Sequence, residues 1–265
     1  MADYTPVTQE AFGTKTWQRN QDFTFAKQQT LIPLIANEVG LAACSVPMAF
    51  AEVSGKMTLV MVCSLQPSQN LMVAPNGKWA IGFVPTALSC RPFRLASSGD
   101  KYTLAVDASS DLVSEEGVGI PFFQENSALP SAETKEVLQQ LLNGHRGNAL
   151  TQRAAAALAE AQVLEPWNIV VKGAEGEHQI SGLSKLNETA LNALPDKQLL
   201  LLRQSGALAI AYAQLISVHQ LSLLKRLSGM HAASSASHAE HTKLFSPDQS
   251  KAEESFDWQT IFKST

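Results

Sequence analysis

The sequence predicts an α+β fold, with a mostly antiparallel sheet in the N-terminal half packed against a helical C-terminal half. Three observations predict it. Short apolar, β-branched runs punctuated by turn residues fill the chain up to about residue 110. The connections between these runs are too short for parallel crossovers, which need a dozen residues or more. After Ser131 the apolar residues switch to helical spacing.

Residues up to about Phe25 read as an irregular arm with Trp17 and Phe23 as anchors. Pro33 is expected to open a short helix reaching about Gly40, since proline suits a first helical turn. "PMAFAEV" and "KMTLVMVCSL" are strands, joined by a tight turn at Gly55. "NLMVAPNGKWAIGFVP" repeats the strand-turn-strand pattern, and its Asn76-Gly77 is the best hairpin turn in the chain. Tyr102 to Asp107 is a further strand, which makes five or six before residue 110.

The helical half begins near Ser131, a capping residue with imperfect box spacing. Val137, Leu138, Leu141 and Leu142 form one apolar stripe; Leu150, Ala154, Ala157, Leu158 and Ala161 form another. Gly144 and Gly147 are expected to loosen or break the helix between them. "WNIVVKGAEGEHQISGL" reads as a second hairpin turning at Gly173 to Gly176. Asn187 caps a short helix and Pro195 starts the next. These elements predict one α+β domain over 1–228, strand-rich to 125 and helix-rich from 126. Residues 229–265 are expected to be a flexible linker with an aromatic C-terminal segment.

"SGALAIAYAQLISVHQLSLLKRL", from Ser205 to Leu227, is the most apolar long stretch. Its uninterrupted apolar part is shorter than the roughly 20 residues of a membrane span, and Gln214 lies inside it. Leu208, Tyr212, Leu215, His219 and Leu223 recur at steps of three or four, with Ala207, Ala211 and Gln214 beside them. The stretch therefore reads as a core helix buried on most of its circumference, not a membrane span.

Composition narrows the function classes. Among 265 residues, 17% are charged and 45% hydrophobic, which suits a folded chain. The net charge of -4 carries no basic stripe of the kind nucleic acid requires. The N-terminus lacks a basic region followed by an apolar one, so the chain reads as soluble and cytoplasmic. Three cysteines, Cys44, Cys63 and Cys90, without a CxxC pair, fit buried thiols in a reducing compartment.

The chain has no GxSxG, GxxxxGK[ST] or GxGxxG pattern, and no cofactor is predicted. His238 and His241 are spaced as weak metal ligands, but in an expected linker they lack preorganisation, so no metal is assigned. Weak candidates for a catalytic site are Asp22, Asp107, Glu165, Tyr212 and His219, with Trp79 beside them. Each also has a structural reading as cap, core or loop anchor. Phe256, Trp258, Ile261 and Phe262 form an apolar tip that is expected to fold back or to dock on a protein or peptide partner.

Several stretches together resemble the SapC family of Gram-negative bacteria: "DFTFA" at Asp22, "IPLIANE" at Ile32, "VPMAF" at Val46 and "LQPSQNLMVAPNGKWAIGFVPTALSCRPF" at Leu65. "LAVDASSDLVSEEG" at Leu104, "LEPW" at Leu164 and "SGALAIAYAQLISVHQL" at Ser205 complete the series over about 200 residues. The resemblance carries no established catalytic motif. It implies a cytoplasmic accessory role beside halogenase-like or 2-oxoglutarate-oxygenase-like enzymes and TonB-dependent uptake systems. Two functions follow: a non-catalytic accessory or binding protein, or an enzyme of unrecognised type with a pocket between the sheet and the C-terminal helices.

Overall fold

The computed structural model describes residues 4–98, 101–115, 119–173 and 176–245, and the side chains within these ranges except those of 98, 171–179 and 234–245. The N-terminal arm is more ordered than its composition suggests. Strand β1 (Tyr4–Pro6) leads into the single-turn helix α1 (Gln9–Phe12), capped by the Thr8 hydroxyl, which accepts from Ala11 N at 3.3 Å. Strand β2 (Thr16–Trp17) follows, and Phe12 and Trp17 are both buried.

Pro33 does not start a helix. It ends strand β3 (Leu31–Pro33), which lies at the edge of a sheet, where a missing N–H costs no ladder bond. Helix α2 (Val39–Ser45) comes only after a 3₁₀ turn at Ala36–Glu38. The hairpin of β4 (Met48–Val53) and β5 (Lys56–Val62) is as expected, pairing Met48 with Met61 through to Val53 with Lys56. Ser54 and Gly55 both take positive φ, the backbone of a two-residue turn matched to strand twist.

The second expected hairpin reduces to one bridge, Val73 to Trp79, around the Gly77 turn. Pro75 offers no N–H to extend a ladder, and besides the main-chain bonds from Ala74 N to Lys78 O and from Ala80 N to Met72 O, side chains hold the segment. The buried Asn70 amide donates to Ala26 O and accepts from Met72 N, and Trp79 Nε1 donates to Phe83 O at 2.6 Å. Beyond it lie helix α3 (Thr86–Ser89) and the hairpin of β6 (Phe93–Ser98) and β7 (Lys101–Asp107). Short strands β8 (Val113–Ser114) and β9 (Ile120–Pro121) flank β2. Seven strands thus precede residue 110 among the described residues.

Helix α4 (Ala132–Glu160) runs unbroken for 29 residues, about 44 Å at 1.5 Å per residue. Ser131 caps it, its Oγ accepting from Thr134 N at 3.2 Å. Gly144 and Gly147 do not break it, because tertiary packing outweighs the helix penalty of glycine. At Gly147 a Cβ would come within 3.1 Å of Asn37 Oδ1 and 3.3 Å of Ile35 Cβ. Glycine there admits the neighbouring chain.

Strands β10 (Leu164–Pro166), β11 (Ile169–Gly173), β12 (Gly176–Ile180) and β13 (Leu183–Leu186) follow, with β11 and β12 as the expected hairpin. Then come α5 (Glu188–Asn192), capped by Asn187, α6 (Asp196–Gln204), which Pro195 precedes, and α7 (Ala207–Ser217). A 3₁₀ turn links α7 to α8 (Leu221–Phe245). Helix therefore continues through residues 229–245, expected as linker. Alanine is the best helix former, and the run is rich in it. His231, within it, bonds Leu71 O at 3.0 Å.

All strand pairs are antiparallel, in orders β1-β7-β6, β8-β2-β9, β10-β13-β4-β5-β3 and β11-β12. With 42% helix and 24% strand, and the helices mainly in the C-terminal half, the fold is α+β as predicted. Two apolar cores result. The larger surrounds the five-stranded sheet and takes in Ala154, Ala155 and Leu158 of α4 together with α7 and α8. The smaller joins Phe12, Trp17, Phe93, Leu104, Val106 and Phe122 to Val137 of α4. Helix α4 spans both.

The most deeply buried face of α7 is the expected flank of the apolar stripe and not the stripe itself. Ala207, Ile210, Ala211, Gln214 and Ser217 are buried, whereas Tyr212 is 46% exposed. Small residues allow close approach, and two polar side chains then bond the sheet. Gln214 Oε1 accepts from Leu186 N at 3.0 Å and its Nε2 donates to Met48 O at 3.1 Å. Ser217 Oγ accepts from Met48 N at 3.1 Å. The length argument against a span also changes. Ala207–Ala233 is 27 residues with hydropathy 1.5, long and apolar enough by length and composition to cross a membrane, and 39% of its most apolar window is buried inside the fold.

Candidate cleft between the two cores

Where α4 passes from one core to the other, at Gly144, a cavity of about 610 Å³ opens. This is within the usual size of small-ligand sites. Its walls come from β1, the β3–α2 connection, α3, β6, the end of β7 and the middle of α4, through Gly144, His145 and Asn148. Much of the lining is apolar: Tyr4, Phe25, Pro33, Ile35, Phe93, Leu95 and Leu141. A second cavity, of about 460 Å³, shares Ile35, Glu38, Thr86 and Gly144 with it.

Glu38 forms the wall between the two cavities. It is 8% exposed, and its carboxylate ties two loops together. Oε2 accepts from Ile35 N at 3.2 Å and Oε1 from Thr86 N at 2.5 Å. Cys90 is buried beside it, its Sγ 3.7 Å from Gln140 Oε1. Burial pushes its thiol pKa up, a hydrogen bond from Ser89 lowers it, and the Glu38 charge adds to the rise. Such a thiol is a poor nucleophile.

The cations of the cleft are differently placed. Arg91 lies over the Phe25 ring, its Cζ 4.6 Å from the centroid, and Arg94 over the Tyr4 ring at 3.7 Å. Among the described residues neither guanidinium has a carboxylate at ion-pair distance or a hydrogen-bond acceptor. A guanidinium over an aromatic face keeps its in-plane N–H fork available. His145 is engaged by Tyr102, whose hydroxyl is 2.8 Å from Nε2.

Of the predicted site residues, Asp107 alone lines this cleft. Its Oδ1 accepts from Ser109 Oγ at 2.7 Å and Ser109 N at 3.2 Å, which closes the turn after β7. Asp22 is exposed and accepts from Thr24 Oγ1 at 2.6 Å and Thr24 N at 2.8 Å. Those two bonds lower its pKa, helped at longer range by Lys27 and Arg91. Trp79 packs on Phe23, centroid to centroid 5.3 Å. Glu165 pairs with Lys185 at 3.1 Å and accepts from Asn187 Nδ2 at 2.7 Å, locking β10 to β13.

Tyr212 and His219 are brought together, but at the rim of a separate depression of about 440 Å³ with Lys185 and Glu188. The structure thus separates Asp22 with Trp79, Asp107 in the cleft, and Tyr212 with His219 at this depression, whose Lys185 also pairs with Glu165. The side chains of His238 and His241 and all of Phe256, Trp258, Ile261 and Phe262 lie outside the described residues. Cys44 is exposed, unlike Cys63 and Cys90.

Sequence reasoning missed Glu38, Arg91, Arg94 and His145. Arg91 was legible only as part of "SCRPF", and nothing local marked Arg94 or His145. They meet through contacts between elements distant in sequence. The cleft nonetheless draws on four stretches that carried the resemblance: Phe25 of "DFTFA", Glu38 of "IPLIANE", Thr86 to Phe93 of the longest stretch, and Asp107 of "LAVDASSDLVSEEG".

Comparison with known proteins agrees in extent with that resemblance. No curated protein and no solved structure matches the chain. Residues 7–224 match the family model described as SapC, which covers every wall of the cleft except Tyr4. The chain belongs to the SapC family.

Proposed function

We propose that this SapC-family chain is a non-catalytic accessory protein that holds a small ligand in the cleft between its two cores. The observation that carries this is the state of the polar groups there. Glu38 is committed to two backbone N–H groups, His145 to Tyr102, and Cys90 is buried. The two arginines present donors to the cavity. That is an inventory for gripping a ligand, with no group activated as nucleophile or base.

The setting proposed is the cytoplasm of a Gram-negative bacterium, beside halogenase-like or oxygenase-like enzymes and TonB-dependent uptake systems. The family resemblance motivates this setting. The aromatic segment with Phe256, Trp258, Ile261 and Phe262 is proposed as the contact to a protein or peptide partner. Deleting residues 256–265 is expected to reduce partner capture while the thermal midpoint stays unchanged, and unaltered capture would refute that role.

Native mass spectrometry of protein purified from its own host tests the cleft. Ala87 is exposed on the cleft wall, so Ala87→Trp blocks the cavity at small cost to packing. Wild type is expected to carry a bound mass that Ala87→Trp lacks. Equal retention by both would overturn the cleft assignment. Release of a chemically altered ligand on incubation would overturn the non-catalytic reading.

A further inference from the structure

We infer that the ligand of the cleft carries an oxyanion, a carboxylate or phosphate, on an apolar body, with Arg91 and Arg94 as the residues that hold the anionic end. This rests on the cleft being the binding site and adds the chemistry of what it binds.

The formal charges around the cavity nearly cancel, because Glu38 and Asp107 stand against Arg91 and Arg94. What distinguishes the two signs is commitment. Glu38 accepts from two main-chain N–H groups, and Asp107 is turned to Ser109. Among the described residues each arginine packs on an aromatic ring, and Asp22 acts on Arg91 only at longer range, so the fold fixes their position without consuming their donors. An arginine fork matches a carboxylate or phosphate in a bidentate pair, the strong form of hydrogen bond. The remaining lining, including Phe25, Phe93, Leu95 and Leu141, offers apolar surface for the rest of the molecule. An inorganic ion would leave that surface unused, and a neutral apolar compound would leave both guanidinium forks without an acceptor.

The test is an amide-proton NMR titration of the full chain with four probes: phenylacetate, phenyl phosphate, the neutral phenylacetamide, and acetate. At least one of the two aromatic anions is expected to shift resonances at Ala87, Gly144 and Asn148. It should bind roughly tenfold or more tighter than phenylacetamide, the effect of one charge-assisted hydrogen bond. Acetate should bind more weakly than either, and added salt should weaken the anions but not the amide. Arg91→Gln and Arg94→Gln should each remove most of the advantage of the anion over the amide. The probe comparison stands on the wild-type protein even if a variant folds poorly. If phenylacetamide binds at the cleft as tightly as the anions, the oxyanion inference falls while the cleft remains a ligand site. If no probe moves the cleft resonances, both fall.

Discussion

Replacing Gln214 tests how α7 is attached to the sheet. Strands β13 and β4 pair Leu183 with Ala51 and Ser184 with Phe50, and the same register continued would set Leu186 opposite Met48. At that point the carboxamide of Gln214 stands between the strands, taking the N–H of Leu186 and giving its own to the carbonyl of Met48. The side chain is fully buried, so no water replaces it. Gln214→Leu leaves two buried main-chain groups unpaired. Each such loss costs about 1–3 kcal/mol, and the added apolar burial returns about 1, so the net loss for the two groups is about 1–5 kcal/mol. Urea denaturation followed by far-ultraviolet circular dichroism measures it. Gln214→Glu sharpens the test. A protonated carboxyl can still accept from Leu186 and donate to Met48, whereas a carboxylate faces the Met48 carbonyl without a proton. Burial then raises the folded-state pKa of Glu above its unfolded value of about 4.3. The folded state binds the extra proton, so this variant should be near wild type below about pH 4 and lose stability as pH rises above it. A Gln214→Leu variant within about 0.5 kcal/mol of wild type would refute the bridge, as would a Gln214→Glu variant whose deficit is independent of pH.

Three further outcomes follow from the same geometry. Glu38→Ala removes the acceptor of two main-chain N–H groups and should cost about 2–4 kcal/mol, with Glu38→Gln costing less because one oxygen remains; equal effects in thermal melts would refute the role of that remaining oxygen as a loop acceptor. Gly144→Ala should raise the melting temperature, since its Cβ meets Thr86 Cγ2 at an ordinary 3.4 Å and alanine gains up to about 1 kcal/mol in a helix. Gly147→Ala should gain nothing or lose stability, because Asn37 Oδ1 would lie 3.1 Å away; equal stabilisation by both would overturn the close-approach account. In the native protein at pH 8, a disulfide-exchange reagent should titrate the exposed Cys44 quickly, and the buried Cys63 and Cys90 only on unfolding, because burial raises both thiol pKa values. Three fast thiols would contradict the packing.

The hairpins at Gly55 and at Gly173 to Gly176, the caps at Ser131 and Asn187, and the helix start at Pro195 were legible because each depends on a few adjacent residues. Pro33 misled, since proline is tolerated both in a first helical turn and on a sheet edge, and only the neighbours of β3 reveal which applies. The face of α7 misled for a related reason. Hydropathy favours Leu208, Tyr212 and Leu215 as the buried stripe, yet the closest approach to the sheet selected the small residues and two amide- and hydroxyl-bearing side chains able to finish its hydrogen bonding.

The candidate site shows the same division. Asp107 was legible as a strand-end cap, Trp79 as core and Glu165 as a loop anchor, whereas the turn closed by Asp22 and the brace from Glu165 to Asn187 appear only in the structure. The cleft itself was not, because Glu38, Arg91, Arg94 and His145 come from four elements whose adjacency depends on α4 crossing both cores without a break. Local sequence determined the class of fold, most of its turns and caps, and the family, since these are set by short-range backbone preference and by the order of stretches along the chain. Tertiary structure alone decided which side of each helix is buried and which charges remain uncommitted. Burial and hydrogen-bond partnership are properties of neighbours in space, and residues 38, 91 and 145 become neighbours only after the chain has closed around α4.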